Sequence, residues 1–233
     1  SNKATFFPHG VAVRRRPSPP PTLVLPVDFH RHGYIAAFGF LMPHKGILQL
    51  IYAFATLVRQ NSELRLLLLT SLYPKPDVQQ YYKHCRTALA KLKLESNVYM
   101  ITDFLPADEV RNLLAGARLV VYPYQNTSES SSAAVRYGLA SGSPVAVTPL
   151  PIFDDVAEAV YHLPGTSPEN LAQGIDEILV NEHRKNAVTH RQNQWLDAHG
   201  WPTVAKKLYA VIVETDRTSR SSLMQHYDNL NSA

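Results

Sequence analysis

Short apolar runs separated by segments of helical spacing fill the chain from Tyr34 onward. Tyr34 to Phe40 (YIAAFGF) is apolar throughout and brief, the pattern of a strand buried on both faces. Similar runs recur at Leu64 to Thr70, Val98 to Thr102, Arg118 to Tyr122, Pro144 to Thr148 and, more briefly, Val160 to Leu163. Between them the period changes. From Gly46 to Gln60 the apolar positions Ile47, Leu50, Ile51, Phe54, Leu57 and Val58 repeat at three and four, as one helix face requires. Val78 to Leu92, Pro106 to Ala115 and Ala133 to Ala140 read as further helices, the second with Asp108 and Glu109 favourably placed in its first turn. Ser167-Pro168-Glu169 opens a helix reaching Val180, with a serine cap, a proline in the first turn and an acid next. Glu182 to His199 and Pro202 to Thr215 follow, split by Gly200.

Strands alternating with helices at this spacing predict an α/β fold. The expected core is a Rossmann-like parallel sheet of about six strands with helices on both faces and C-terminal helices appended. Residues 1–33 carry Pro8, Pro17, Pro19, Pro20, Pro21 and Pro26 and no steady periodicity, so they read as a linker or extended arm. Within that arm, Thr22 to Val27 fits a short edge strand. Residues 34–215 form the expected domain, and 216–233 a polar, frayed tail.

Composition narrows the classes. At 45% hydrophobic residues in 233, a real core is attainable. No apolar run approaches the ~18 residues of a membrane span. Pro8, His9 and Gly10 interrupt any apolar leader at the start, so no signal peptide is expected. The single cysteine, Cys85, excludes an internal disulfide, fits a reducing compartment and reads as ordinary packing. The net charge of +4 favours acidic partners in general. Apart from Arg14-Arg15-Arg16, which reads as a solvated linker, the charge is spread out. No Lys/Arg cluster is interleaved with aromatics, so nucleic acid is not an expected partner. His9, His30, His32 and His44 match no ligand spacing, and no metal is expected.

Two stretches carry candidate chemistry. Gly39 to Gly46 (GFLMPHKG) ends a strand and places Lys45 just before a helix start, where lysine and free N–H groups make a diphosphate cradle. The same pattern also arises when Gly46 merely permits a turn and Lys45 is solvated. Ser128 to Ser132 opens the next site. Ser128 as a helix cap with Glu129 in the first turn would stabilise any helix, but three consecutive serines are mediocre helix formers. Both stretches follow strands of one parallel sheet and so face the same edge, where ligands bind. Asp154-Asp155 reads as a solvated turn, with the holding of a sugar or nucleotide hydroxyl as the alternative.

In order along the chain, Phe7-Pro8-His9-Gly10-Val11, Gly39 to Gly46, the loop with Glu129, Gly138 to Val145 (GLASGSPV) and Trp201 to Leu208 resemble the C-terminal, donor-binding half of a GT-B glycosyltransferase of the large retaining family 4. The first segment resembles that family's interdomain hinge. The resemblance implies a UDP- or GDP-sugar donor and no further cofactor, with retaining, metal-independent transfer. Lys45 would bind the donor diphosphate, Glu129 would contact the sugar, and the backbone at Ser130 and Ser131 would bind hydroxyls or phosphate. The expected donor set is therefore Gly39, Phe40, Lys45, Ser128, Ser130, Ser131 and Tyr137, with Lys45 and Glu129 as the catalytic pair. Two positions depart from the pattern. Phe40 stands where the family usually has an arginine, and Tyr137 where it usually has a second glutamate.

An N-terminal acceptor-binding domain is the implied partner, and a saccharide or lipid-linked saccharide the implied acceptor. By itself the chain is expected to transfer little or nothing. By analogy the setting is surface polysaccharide assembly in the cytoplasm, with only peripheral contact at the inner face of the membrane. The alternative is a non-catalytic GT-B-like scaffold or nucleotide-sensing domain.

Overall fold

Six short strands line up in parallel in the order β3-β2-β1-β4-β5-β6. They are β1 (Tyr34–Phe40), β2 (Leu66–Ser71), β3 (Val98–Ile101), β4 (Ala117–Tyr122), β5 (Val145–Val147) and β6 (Tyr161–His162). The computed structural model describes residues 7–12 and 23–231, the last eleven as backbone only. Residues 23–195 make one compact unit that contains the sheet, and 7–12 with 196–231 make another.

The sheet is covered on both faces, as its continuous apolar runs require. On one face, alternate residues Ile35, Ala37, Leu66, Leu68, Leu119 and Val121 join a core with α2 (Ile47–Gln60), α3 (Pro76–Lys91) and α6 (Pro168–Val180). Helix α2 packs between α3 and α6 and buries Leu50, Ile51, Phe54 and Leu57 almost completely. Each such side chain contributes roughly 2 kcal/mol of transfer free energy. Cys85 of α3 is fully buried here, as packing rather than chemistry. On the other face lie α4 (Ala107–Ala115) and α5 (Ala133–Ser141), packed on each other. Tyr34 donates its hydroxyl to Leu113 O at 2.6 Å, and Tyr122 donates to Ala134 O at 2.7 Å, so two strand tyrosines anchor these helices.

Two expectations fail. Residues 23–26 form no strand, and Thr22 lies outside the described residues. Instead Val27–His32 is a helix, α1. Pro26 precedes it with φ −52°, its carbonyl accepts from Phe29 N at 2.9 Å, and Phe29 is buried against Tyr34 and Tyr99. A proline that fixes φ at a helix start outweighs the brief β-like composition. At the other end, α7 (Glu182–His199) is followed by α8 (Trp201–Asn231), which does not stop at Thr215. Residues 216–231 contain no glycine or proline to break it, and an Asp216–Arg220 ion pair at 3.0 Å bridges one turn.

In the second unit, Val11 pairs with the Gly200 turn: Val11 N donates to His199 O at 2.9 Å and Trp201 N donates to Val11 O at 3.1 Å. The His9 ring lies 5.6 Å from that of Trp201. No described helix is long and apolar enough to cross a membrane.

Candidate functional site

The sheet order makes β1 and β4 neighbours whose connections leave in opposite directions. The crevice outside their carboxyl ends is where open α/β sheets take ligands. Two loops meet there. After β1 the chain makes a single 3-10 turn, Pro43–Lys45, and Gly46 then turns into α2 with φ +71°. A Cβ at Gly46 would stand 1.8 Å from Pro123 O, in the loop after β4. Glycine is thus required twice, for the left-handed backbone and for the close approach. Gln125 locks the junction: its N–H donates to His44 O at 2.8 Å and its Nε2 donates to Pro123 O at 2.8 Å.

This junction brings Lys45 and Glu129 together from 84 residues apart in sequence. Lys45 Nζ lies 2.9 Å from Glu129 Oε2, with the lysine side chain 13% exposed and the carboxylate 49%. Beneath the ammonium is the ring of Tyr124, its centroid 4.1 Å away, a cation–π contact. Tyr124 is itself fixed: its hydroxyl meets Ser132 Oγ at 3.0 Å, its carbonyl accepts from Thr148 Oγ1 at 2.8 Å, and its ring packs on Phe153. His44 Nε2 stands 3.7 Å from the other Glu129 oxygen. Burial, followed by the neighbouring Lys45 charge, holds the His44 imidazole below its usual pKa, with Glu129 opposing.

The helix cap differs from the sequence expectation. Ser132, not Ser128, caps α5, its Oγ accepting from Val135 N at 3.4 Å. Ser128 and Glu129 lie in the loop before it. The stretch from Gln125 to Ser131 stays out of the helix, so its backbone N–H groups are not consumed by helical bonds. Arg136, on α5, is buried. It donates to Ser132 O at 2.7 Å and pairs with Asp155. Asp155 is exposed, as the sequence suggested, but it is engaged by Arg136 rather than by solvent alone. A buried guanidinium needs a carboxylate partner, and the 3-10 helix Pro151–Ala159 supplies one.

A cavity of about 430 Å³ opens at this edge. Of the predicted set, Gly39, Phe40, Lys45, Glu129, Ser131 and Tyr137 line it; Ser128 and Ser130 are exposed on the same loop but do not. Gly39 has φ +146°, a conformation that favours glycine, and faces Ala134. Phe40 is half-exposed and meets Tyr73 edge to face, while Tyr137 packs its ring 5.1 Å from Phe38. The charged side chains lining the cavity are Lys45, Glu129 and Asp103.

Sequence reasoning missed Tyr124 and the wall formed by Ser71, Asp103, Phe104 and Leu105. A signal existed for that wall. In a parallel sheet the segments after β2 and β3 emerge at the same edge as those after β1 and β4, so Thr70-Ser71-Leu72 and Asp103-Phe104-Leu105 were candidates by topology. No comparable signal marked Tyr124, whose value is its position under Lys45. Among the described residues no group of three or more His, Cys, Asp or Glu could hold a metal ion.

The profile of the family described as glycosyl transferases group 1 matches residues 30–195. No curated protein matches the chain by sequence. Among solved structures, sucrose-phosphate synthase from Thermosynechococcus elongatus is similar at TM-score 0.65 and 17% identity, over 79% of this chain and 46% of that one. HepE from Anabaena, solved with UDP, is similar at TM-score 0.68 and 16% identity, over 82% and 54%. The C-terminal domain of the group 1 family glycosyl transferase LpcC from Francisella tularensis is similar at TM-score 0.62 and 13% identity, over 77% and 94%. The chain thus spans about half the length of the first two and nearly all of the third, an isolated C-terminal domain. These likenesses establish the fold as the Rossmann-like half of a GT-B glycosyltransferase.

Proposed function

Because the chain belongs to the glycosyl transferases group 1 family, we propose that its cavity binds a nucleotide-sugar donor for retaining, metal-independent transfer to a saccharide or lipid-linked saccharide acceptor. The observation that carries this reading is the convergence of Lys45 and Glu129, 2.9 Å apart, at the switch point of the sheet. Lys45 supplies the positive charge that stabilises a diphosphate as it leaves. Glu129, once displaced from the lysine, accepts hydrogen bonds from sugar hydroxyls. The exposed backbone of Ser130 and Ser131 offers N–H donors beside it. Aromatic rings at Phe40, Tyr137 and Phe104 give the cavity walls on which a base or sugar face can rest. We place the protein in the cytoplasm, in surface polysaccharide assembly.

The structure of HepE with UDP-glucose guides the choice of ligand. Calorimetric titration with UDP, GDP and their glucose and mannose conjugates tests the reading, repeated with Lys45→Ala and Glu129→Ala. Saturable binding of one of them, weakened at least about tenfold by Lys45→Ala, is the expected result. Binding insensitive to Lys45→Ala sinks it.

A second reading rests on the cavity lining. Phe40 contributes no charge and Tyr137 no carboxylate, so the charged groups reduce to Lys45, Glu129 and Asp103. A nucleotide sensor or scaffold would bind with the same lysine dependence yet show no turnover when supplied with acceptor and the acceptor-binding domain.

A further inference from the structure

His44 is a polar group that the donor-site reading leaves without a task. It sits with Lys45 on the 3-10 turn Pro43–Lys45, and the two residues converge on one carboxylate. Lys45 Nζ reaches Glu129 Oε2 at 2.9 Å, while His44 Nε2 stands 3.7 Å from Oε1, beyond hydrogen-bond distance. That Nε2 is buried and has no hydrogen-bond partner among the described residues. A buried, unsatisfied ring nitrogen is costly unless something satisfies it in another state. The charged groups facing it are Lys45, which disfavours protonation, and Glu129 across the junction, which favours it; burial and Lys45 outweigh Glu129 and lower the ring's pKa. The backbone carbonyl of His44 is fixed by Gln125 N–H at 2.8 Å; His44 does not itself line the cavity, but its neighbour Lys45 and the carboxylate its ring faces, Glu129, both do.

We infer that His44 is a second cationic group for the donor diphosphate, neutral in the free protein and protonated when the diphosphate binds. This inference rests on the diphosphate reading of the site. When an incoming anion takes Lys45, Glu129 is released and negative charge replaces it beside Nε2. A positive imidazolium is then favoured, and Nε2–H gains an acceptor. One proton is drawn from solvent for each ligand bound, and binding tightens as pH falls through the neutral range. His44 positions and neutralises the anion; no bond to it forms or breaks.

Inorganic pyrophosphate is the probe, since it tests the anion site independently of base and sugar. The full chain is titrated with it while ring-nitrogen NMR follows the His44 titration, identified as the resonance missing in His44→Gln. Binding itself is read from the backbone amides of Lys45 and Gly46. Saturating pyrophosphate should move the His44 midpoint upward. Lowering the pH from 8 to 6 should tighten pyrophosphate about tenfold more in the unsubstituted chain than in His44→Gln. If His44→Gln does not fold, His44→Asn gives the assignment, and the midpoint in the unsubstituted chain still decides. Pyrophosphate that binds with Lys45 dependence but leaves the His44 midpoint in place overturns the role of His44 and leaves the anion site standing. Pyrophosphate that shifts neither the amides nor His44 overturns the anion site and this inference with it.

Discussion

Two glycines with left-handed backbones offer a controlled experiment on how the site is held together. Gly142 has φ +84° and nothing within 4 Å of an added Cβ, so Gly142→Ala incurs only the conformational cost, about 1 kcal/mol. Gly46 has φ +71°, and its Cβ would lie 1.8 Å from Pro123 O and 2.9 Å from Gln125 Nε2. Gly46→Ala carries the same conformational cost, and it must also displace the Pro123 carbonyl. That loses the Gln125 side-chain hydrogen bond and loosens the Gln125–His44 bond, each contributing about 1 kcal/mol. The expected total is roughly 3 kcal/mol. With a urea slope of about 2 kcal/mol/M, the midpoint should fall by about 0.5 M for Gly142→Ala and about 1.5 M for Gly46→Ala. Nucleotide binding should weaken more than about tenfold in Gly46→Ala, through misplacement of Lys45, and be unchanged in Gly142→Ala. Midpoints for the two variants within about 0.3 M of each other would show that the loop-to-loop contact does not hold the site, and the reasoning would fail.

Four further outcomes are expected. Asp155→Ala strands the buried Arg136 guanidinium and should cost about 3 kcal/mol in urea unfolding, most of it recovered when Arg136→Met is added. Phe54→Ala empties a fully buried site in α2 and should cost about 3–5 kcal/mol by the same assay. The lowered His44 pKa has a definite sign. The unfolded chain binds the proton more readily, so the His44 contribution to stability is present above the ordinary imidazole pKa and is lost as pH falls below it; stability measured between pH 5 and 7 should rise more steeply in the unsubstituted chain than in His44→Gln. The Cys85 thiol, fully buried and pushed up to about 12 by that burial, should resist a disulfide reagent at pH 8 until urea unfolds the protein.

Local periodicity carried most of the framework, because strands buried on both faces and a helix such as α2 write their environment directly into residue order. The six strands and the helices around them were legible within a few residues. The same logic misjudged Thr22 to Val27, where six residues are too few for periodicity to outweigh one proline, and the tail, where the absence of breakers mattered more than polarity. At the site, Lys45 and Glu129 were legible as candidates because each lies in a loop that follows a strand, and the resemblance named them together. What could not be read is what holds them. The Gly46–Pro123 approach, Tyr124 beneath the ammonium and the Arg136–Asp155 pair all join segments distant in sequence, and such pairings leave no trace in spacing. The serines show the limit most clearly. Composition marked the cluster, yet only the fold assigns Ser132 to the cap, Ser131 to the cavity and Ser128 to the exposed loop.

The ion pair between Lys45 and Glu129 means that the cleft contains its own counter-ion. Any anion that takes the lysine must first evict a tethered carboxylate, whose local concentration is far above that of any buffer component. Chloride or a single phosphate would exchange one negative partner for another and gain little, whereas a diphosphate brings enough extra negative charge to displace the carboxylate. A ligand that presents an anionic group to the ammonium and hydroxyls to the released carboxylate satisfies both halves of the broken pair. Discrimination of this kind would come from internal competition rather than from a tight outline, and would not require the cleft to be closed off from solvent.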